Sequence, residues 1–118
     1  MPADEVGNCI FCRIVQGEAD SELLYADDEI VSFNDIQPQA PVHFLVIPRR
    51  HVASVSDLSD SEMLCGRLLA TAARIAHQQG LGEDGYRIAI NNGRDGRQSV
   101  EHLHVHVLGG RPLRGSMG

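Results

Sequence analysis

Lysine and tryptophan are missing from this chain of 118 residues, and aromatic side chains make up only 4% of it. All ten basic residues are arginine; against sixteen acidic ones they give a net charge of −6 with the histidines neutral. Binding duplex DNA or RNA through its phosphates needs a broad positive field, which this balance excludes. A small phosphate site built locally stays open. No apolar run comes near the ~18 residues of a membrane span, so no membrane partner is expected. The opening Met1-Pro2-Ala3-Asp4-Glu5 has neither the basic nor the apolar part of a secretory leader. The expectation is a soluble, cytoplasmic protein. Three cysteines, an odd number, argue against a disulfide framework.

Linker-like Gly/Ser or Pro-rich tracts, repeats and low-complexity segments are also absent. The whole chain, 1–118, therefore reads as one domain, with 1–7 as a flexible N-terminus and 112–118 as a C-terminal tail. Apolar residues at helical spacing from Cys9 to Val15, ending at Gly17, predict a short helix. Two strands are expected at 23–26 and 29–34, parted by the turn-forming Asp27-Asp28, and a buried strand at 42–47 is stopped by Pro48. Ser59-Asp60-Ser61-Glu62 has the form of a capping box with Ser59 as N-cap. Behind it Leu64, Leu68, Ala72, Ile75 and Ala76 make the apolar stripe of a long helix that Gly80 ends. Cys65 reads as a core residue of this helix and His77 as a surface one. Further strands are predicted at 86–90 and 103–108. The order of elements implies an α+β domain with a mainly antiparallel sheet.

Three of the six histidines, His102, His104 and His106, fall within five residues and alternate with Leu103, Val105 and Val107. On a strand this period of two puts the imidazoles on one face and the aliphatic side chains in the core. Such a row could be a solvated polar face, a pair of H-x-H metal ligands, or the apparatus of a nucleophilic attack on phosphorus. The preceding loop, 91–99, favours the last. Gly93 and Gly96 let the backbone approach a ligand, and Asn91, Gln98 and Ser99 offer neutral hydrogen-bonding groups.

The run Gln98-Ser99-Val100-Glu101 followed by His102-Leu103-His104-Val105-His106-Val107-Leu108 resembles the signature of the histidine triad (HIT) family. The trailing Gly109-Gly110-Arg111 is similar to its Hint branch, the nucleoside phosphoramidases, and the likeness extends back through residues 34–48 to Cys9-Ile10-Phe11-Cys12. The resemblance implies a five-stranded sheet with one short N-terminal and one long helix, pairing in a homodimer into ten strands. It implies a hydrolase that cleaves the P–N bond of purine nucleoside 5′-phosphoramidates through a nucleotidyl-histidine intermediate. His104 would be the nucleophile, His106 would stabilise charge on the phosphate, and Ser99 would hydrogen-bond the leaving group. Asn91, Gln98 and His43 would line the phosphate and ribose region, Asp35 would accept from the ribose hydroxyls, and Phe11, Ile14, Phe33 and Ile36 would hold the base.

The C-x-x-C of Cys9 and Cys12 is by itself compatible with redox chemistry, a metal or neither, and no βαβ pattern supports a redox pair. The resemblance adds His51 and His102, which would complete a closed Cys2His2 structural zinc site, with no metal needed for the chemistry. Two reduced cysteines packed beside the same histidines are the alternative. Arg97 stands where the family often has glycine, Asn34 where some relatives have histidine, and the tail carries no tryptophan. The competing functions are a dinucleoside polyphosphate hydrolase of the same superfamily and a non-catalytic nucleotide-binding interaction module.

Overall fold

Every strand pairing in the computed structural model is antiparallel, and the five strands lie in the order β1-β2-β3-β5-β4. The structure describes residues 9–19, 21–58 and 60–116; the expected flexible segment 1–7 lies outside them. The strands are β1 (Leu23–Ala26), β2 (Ile30–Asn34), β3 (Val42–Pro48), β4 (Tyr86–Ala89) and β5 (Val105–Gly109). A short helix α1 (Ile10–Val15) precedes the sheet, and the long helix α2 (Glu62–Gln78) follows a single 3-10 turn at Val55–Leu58.

Alternation along the strands sorts side chains into two cores on opposite faces. Ile30, Phe44, Val46, Val105 and Val107 meet the stripe of α2, including Leu64, Leu68, Ala72, Ile75 and Ala76. Cys65 is half-buried beside this core, and His77 is exposed. Val31, Phe33, Leu45 and Ile47 face the other way and pack on Phe11, Cys12 and Ile14 of α1. The small second core carries the site. Its helix is only six residues long, too short to persist alone, so tertiary contacts hold it.

Several expectations change at element ends; β2 begins at Ile30 rather than 29, and β4 ends at Ala89 rather than 90. Strand β5 begins at Val105 rather than 103, because the chain before it bonds elsewhere: the Leu103 N–H donates to the Val52 carbonyl at 2.6 Å. Ser61, not Ser59, precedes the first turn of α2; its hydroxyl makes no cap bond and accepts from Arg50 Nη2 at 3.1 Å instead. Ser59 lies outside the described residues. Pro48 ends β3 from within, since a ring nitrogen without a proton still leaves its carbonyl free to bond. The turn at Asp27 is closed by its own carboxylate, which accepts from the N–H groups of Glu29 and Ile30, both at 2.8 Å.

Candidate active site

The sheet registers bring the histidines together. Across β3 and β5, Leu45 faces His106 and His43 faces Leu108, so His43, Leu45, His106 and Leu108 share the α1 face. His104 sits just before β5 on the same face, 3% exposed, with its ring edge-on to Phe11 at 5.1 Å between centroids.

Ring nitrogens are assigned by their partners. His104 Nδ1 lies 2.7 Å from the His102 carbonyl oxygen, which can only accept, so Nδ1 carries the proton and Nε2 keeps its lone pair. The Gln39 N–H donates to His43 Nδ1 at 3.0 Å, which puts the His43 proton on Nε2. That proton is donated to His106 Nδ1, 3.0 Å away, and His106 is left with an N–H at Nε2. A bare nitrogen on His104 and a donor on His106 follow from hydrogen bonds alone. Asp35 Oδ2 lies 3.4 Å from His43 Nε2, and Asp35 Oδ1 accepts from the Gln37 N–H at 2.9 Å. Burial holds His104 below the usual imidazole value. It takes His106 down to about 4, helped by the neighbouring His104 and His43. Burial lowers His43 as well, against the pull of Asp35. Uncharged imidazoles are what a nucleophile and a directed donor require.

In front of these rings opens a cavity of about 450 Å³, ample for a small ligand. Of the residues expected at the site, Phe11, Ile14, Phe33, Asp35, Ile36, Ser99, His104 and His106 line it. Ile36 is 90% exposed at its rim, an unusual position for a side chain of this kind unless something covers it. His43 stands behind His106 rather than on the wall. Two further residues are placed differently from expectation. The Gln98 amide donates to the carbonyls of Ala53 (2.7 Å) and Val100 (2.9 Å) and accepts from the Gly93 N–H (2.9 Å), so it braces the loop and has no donor left for a ligand. Asn91 is half-buried in the same loop and off the cavity wall. Ile10, Gln37, Leu45 and Val100 line the cavity without having been singled out. Leu45 was within reach, because it alternates with His43 on β3; Ile10 and Val100 carry no pattern that distinguishes them from core.

Beside the cavity, Cys9, Cys12, His51 and His102 place their ligand atoms within 4.8 Å of one another, a group that could hold a metal ion. Cys9 Sγ lies 3.4 Å and Cys12 Sγ 3.5 Å from His102 Nδ1, and Cys12 Sγ lies 3.1 Å from His51 Nδ1. His102 Nε2–H donates to the Pro48 carbonyl at 2.8 Å, so its Nδ1 presents a lone pair to both sulfurs. Sulfur and nitrogen on a tetrahedral zinc stand about 3.5 Å apart, given Zn–S and Zn–N bonds of about 2.3 and 2.0 Å. The donor set and its spacing fit such an ion. Burial, with Cys9 beside it, pushes the Cys12 thiol up to about 12 in the absence of a cation. Among the described residues no helix is long and apolar enough to cross a membrane.

Comparison with known proteins agrees with this geometry. The HIT domain model matches residues 16–113. The chain is 48% identical over 105 residues to a purine nucleoside phosphoramidase of Escherichia coli strain K12, covering 88% of each chain. Among solved structures it superposes on a HIT family hydrolase from Legionella pneumophila with a TM-score of 0.90, at 42% identity, covering 94% of this chain and all of that one. A histidine triad protein from Clostridium difficile gives a TM-score of 0.89 at 39% identity, covering 98% of both chains. With a nucleophile-ready imidazole at the centre of its histidine row and a matching sequence over most of its length, the chain belongs to the HIT family.

Proposed function

We propose that the protein hydrolyses purine nucleoside 5′-phosphoramidates, releasing an amine and a nucleoside 5′-monophosphate, as a cytoplasmic homodimer with a structural zinc. The observation that carries the reading is the His104 tautomer: Nδ1–H is committed to the His102 carbonyl, so Nε2 is free to attack. The 48% identity to a protein named for this activity supports the substrate class.

Attack forms the His104 Nε2–phosphorus bond and breaks the phosphorus–nitrogen bond. The departing amine takes a proton through the Ser99 hydroxyl, which is exposed and regains one from solvent. His106 Nε2–H donates to a phosphate oxygen as charge builds on it. Water then forms a phosphorus–oxygen bond and gives up a proton to solvent, the bond to His104 breaks with its electron pair returning to Nε2, and the imidazole is restored. Phe11, Ile14, Phe33 and Ile36 hold the base, and Asp35 accepts from the ribose hydroxyls. Cys9, Cys12, His51 and His102 hold zinc, which would tie α1 to the segment that carries His104. Dimerisation pairs β4 with its copy: of the two sheet edges, β1 is interrupted by a bulge between Leu23 and Tyr25, whereas β4 is regular.

The test supplies adenosine 5′-phosphoramidate and a diadenosine polyphosphate to the purified protein and to its His104→Ala variant. Release of AMP from the phosphoramidate by the parent alone supports the reading. Cleavage of the polyphosphate with the phosphoramidate left intact refutes it in favour of the superfamily's other hydrolases. AMP binding without cleavage of either substrate favours the interaction module.

A further inference from the structure

Beside the reaction cavity the sheet carries a second hollow of about 320 Å³, lined by Gln39, Arg87, Leu108, Arg111, Leu113 and Arg114. Three of the chain's ten basic residues meet there. None of the three takes part in an ion pair among the described residues, in a chain where acidic residues outnumber basic ones by sixteen to ten. Their hydrogen bonds go to backbone carbonyls: Arg87 Nη2 to Arg114, Arg111 Nη1 to Pro112, and Arg111 Nη2 to Gln39. A guanidinium offers five N–H groups, so most donors stay unspent, and Arg114 spends none that the structure records. Asp84 lies with Arg111 along another hollow without pairing to it.

Register places this hollow next to the chemistry. Arg87 pairs with Leu108 and Ala89 with His106, so the arginines begin one side-chain position along the His106 face. Two residues of strand span about 7 Å, the reach of roughly five or six bonds from phosphorus. Gln39 joins the two places directly: its N–H holds His43 Nδ1, while its carbonyl accepts from Arg111.

We infer that Arg87, Arg111 and Arg114 form a subsite for an anionic leaving group, a carboxylate or phosphate carried on the amine that the reaction expels. This rests on the phosphoramidase reading above. Unpaired guanidiniums confined by Leu108 and Leu113 favour a planar or tetrahedral oxyanion over a neutral chain.

Three adenosine phosphoramidates of matched length test it: those of n-butylamine, 4-aminobutyrate and 2-aminoethyl phosphate. At low salt, kcat/KM for at least one anionic substrate should exceed that of the butyl compound by about tenfold. The excess should fall below about threefold in Arg111→Ala/Arg114→Ala, and should shrink in the parent as salt is raised. Which anion gains the excess tells carboxylate from phosphate. Equal rates for all three in the parent, or an excess that survives the double substitution, overturns the subsite. Should no phosphoramidate be cleaved, the function reading fails, and the subsite is judged by NMR titration with 4-aminobutyrate and inorganic phosphate. Shifts at the arginine Nε signals of 87, 111 and 114 then support it, and their absence overturns it.

Discussion

His104 Nδ1 and the carbonyl oxygen of His102 stand 2.7 Å apart, so one histidine of the row sets the protonation of the next through the main chain. No third residue is needed to orient the His104 ring. His102 is itself held, ring to the Pro48 carbonyl at 2.8 Å and Nδ1 toward the two sulfurs. The position of Nε2 on His104 therefore depends on the cysteine-histidine group as well as on β5.

Replacing His104 by alanine should lower kcat by roughly 10³-fold or more while AMP still binds, because the base and ribose contacts lie elsewhere. Rapid quenching of the parent should yield protein heavier by one nucleotidyl group, mapped to position 104. Full turnover by the alanine variant, or an adduct on another residue, would show that a different group attacks.

Stripping metal with a chelator, or substituting Cys9→Ser, should destabilise the second core. Loss of a structural ion costs several kcal/mol, enough to lower Tm by about 10 °C or more. The kcat should fall too, since His102 then no longer holds its carbonyl against His104. Metal analysis of untreated protein should find one zinc per chain. A melting curve indifferent to both treatments contradicts the site.

Acid should weaken the fold before it reaches the carboxylate range. Burial and the nearby imidazoles keep His106 at about 4, against an ordinary 6.5. As pH falls from 6.5 toward 4 the unfolded chain takes up a proton that the folded one refuses, so stability is complete above 6.5 and declines below it. Chemical denaturation at pH 7.0, 5.5 and 4.5 should show this decline, and His106→Asn should make it shallower without abolishing it, since burial lowers His43 and His104 as well. An identical slope in the variant would assign the acid sensitivity to other groups.

Asp27 fastens the β1–β2 turn to α2, accepting from two backbone N–H groups, from Tyr25 Oη at 2.7 Å and from Arg67 Nη2 at 2.6 Å. Asp27→Ala leaves those N–H groups without their acceptor and should cost about 1–3 kcal/mol. The kcat should stay near the parent value, because Asp27 does not line the cavity and its backbone carbonyl, which Arg49 holds, is kept in the variant. Loss of kcat at full stability would mean the hairpin reaches the site by a route this packing does not show.

The period-two histidine row and the stripe of α2 were legible in the sequence, because each follows from one element's own geometry. The bond from His104 Nδ1 to a carbonyl two residues away is equally local, whereas the reading of His104 as the attacking group came from the family resemblance. What escaped reading depends on distant partners. Gln98 looked like a ligand donor until its amide met Ala53 and Val100. His43 looked like a wall residue, but Gln39 and His106 engage both of its nitrogens. Strand β5 looked as though it began two residues earlier because no local signal says that Leu103 bonds to Val52. The arginine hollow was invisible for the same reason: Arg87 is far in sequence from Arg111 and Arg114, and the β4–β5 register and the bond from Arg87 to the Arg114 carbonyl unite them.

Arg97 is the one described residue other than glycine with a positive φ, at 64°. Its conformation is imposed from both sides, since the Arg97 N–H donates to the Arg94 carbonyl and the Gln98 N–H to the Gly93 carbonyl, each at 3.0 Å. A left-handed residue bearing a Cβ pays about 1–2 kcal/mol, while glycine's greater freedom when unfolded returns about 0.5–1. Arg97→Gly should therefore stabilise the protein by about 0.5–1 kcal/mol and raise Tm by a few degrees. Arg97→Ala keeps the Cβ and with it the strain, so its Tm should stay near that of the parent. Equal gains from both substitutions would trace the effect to the lost charge instead of the backbone.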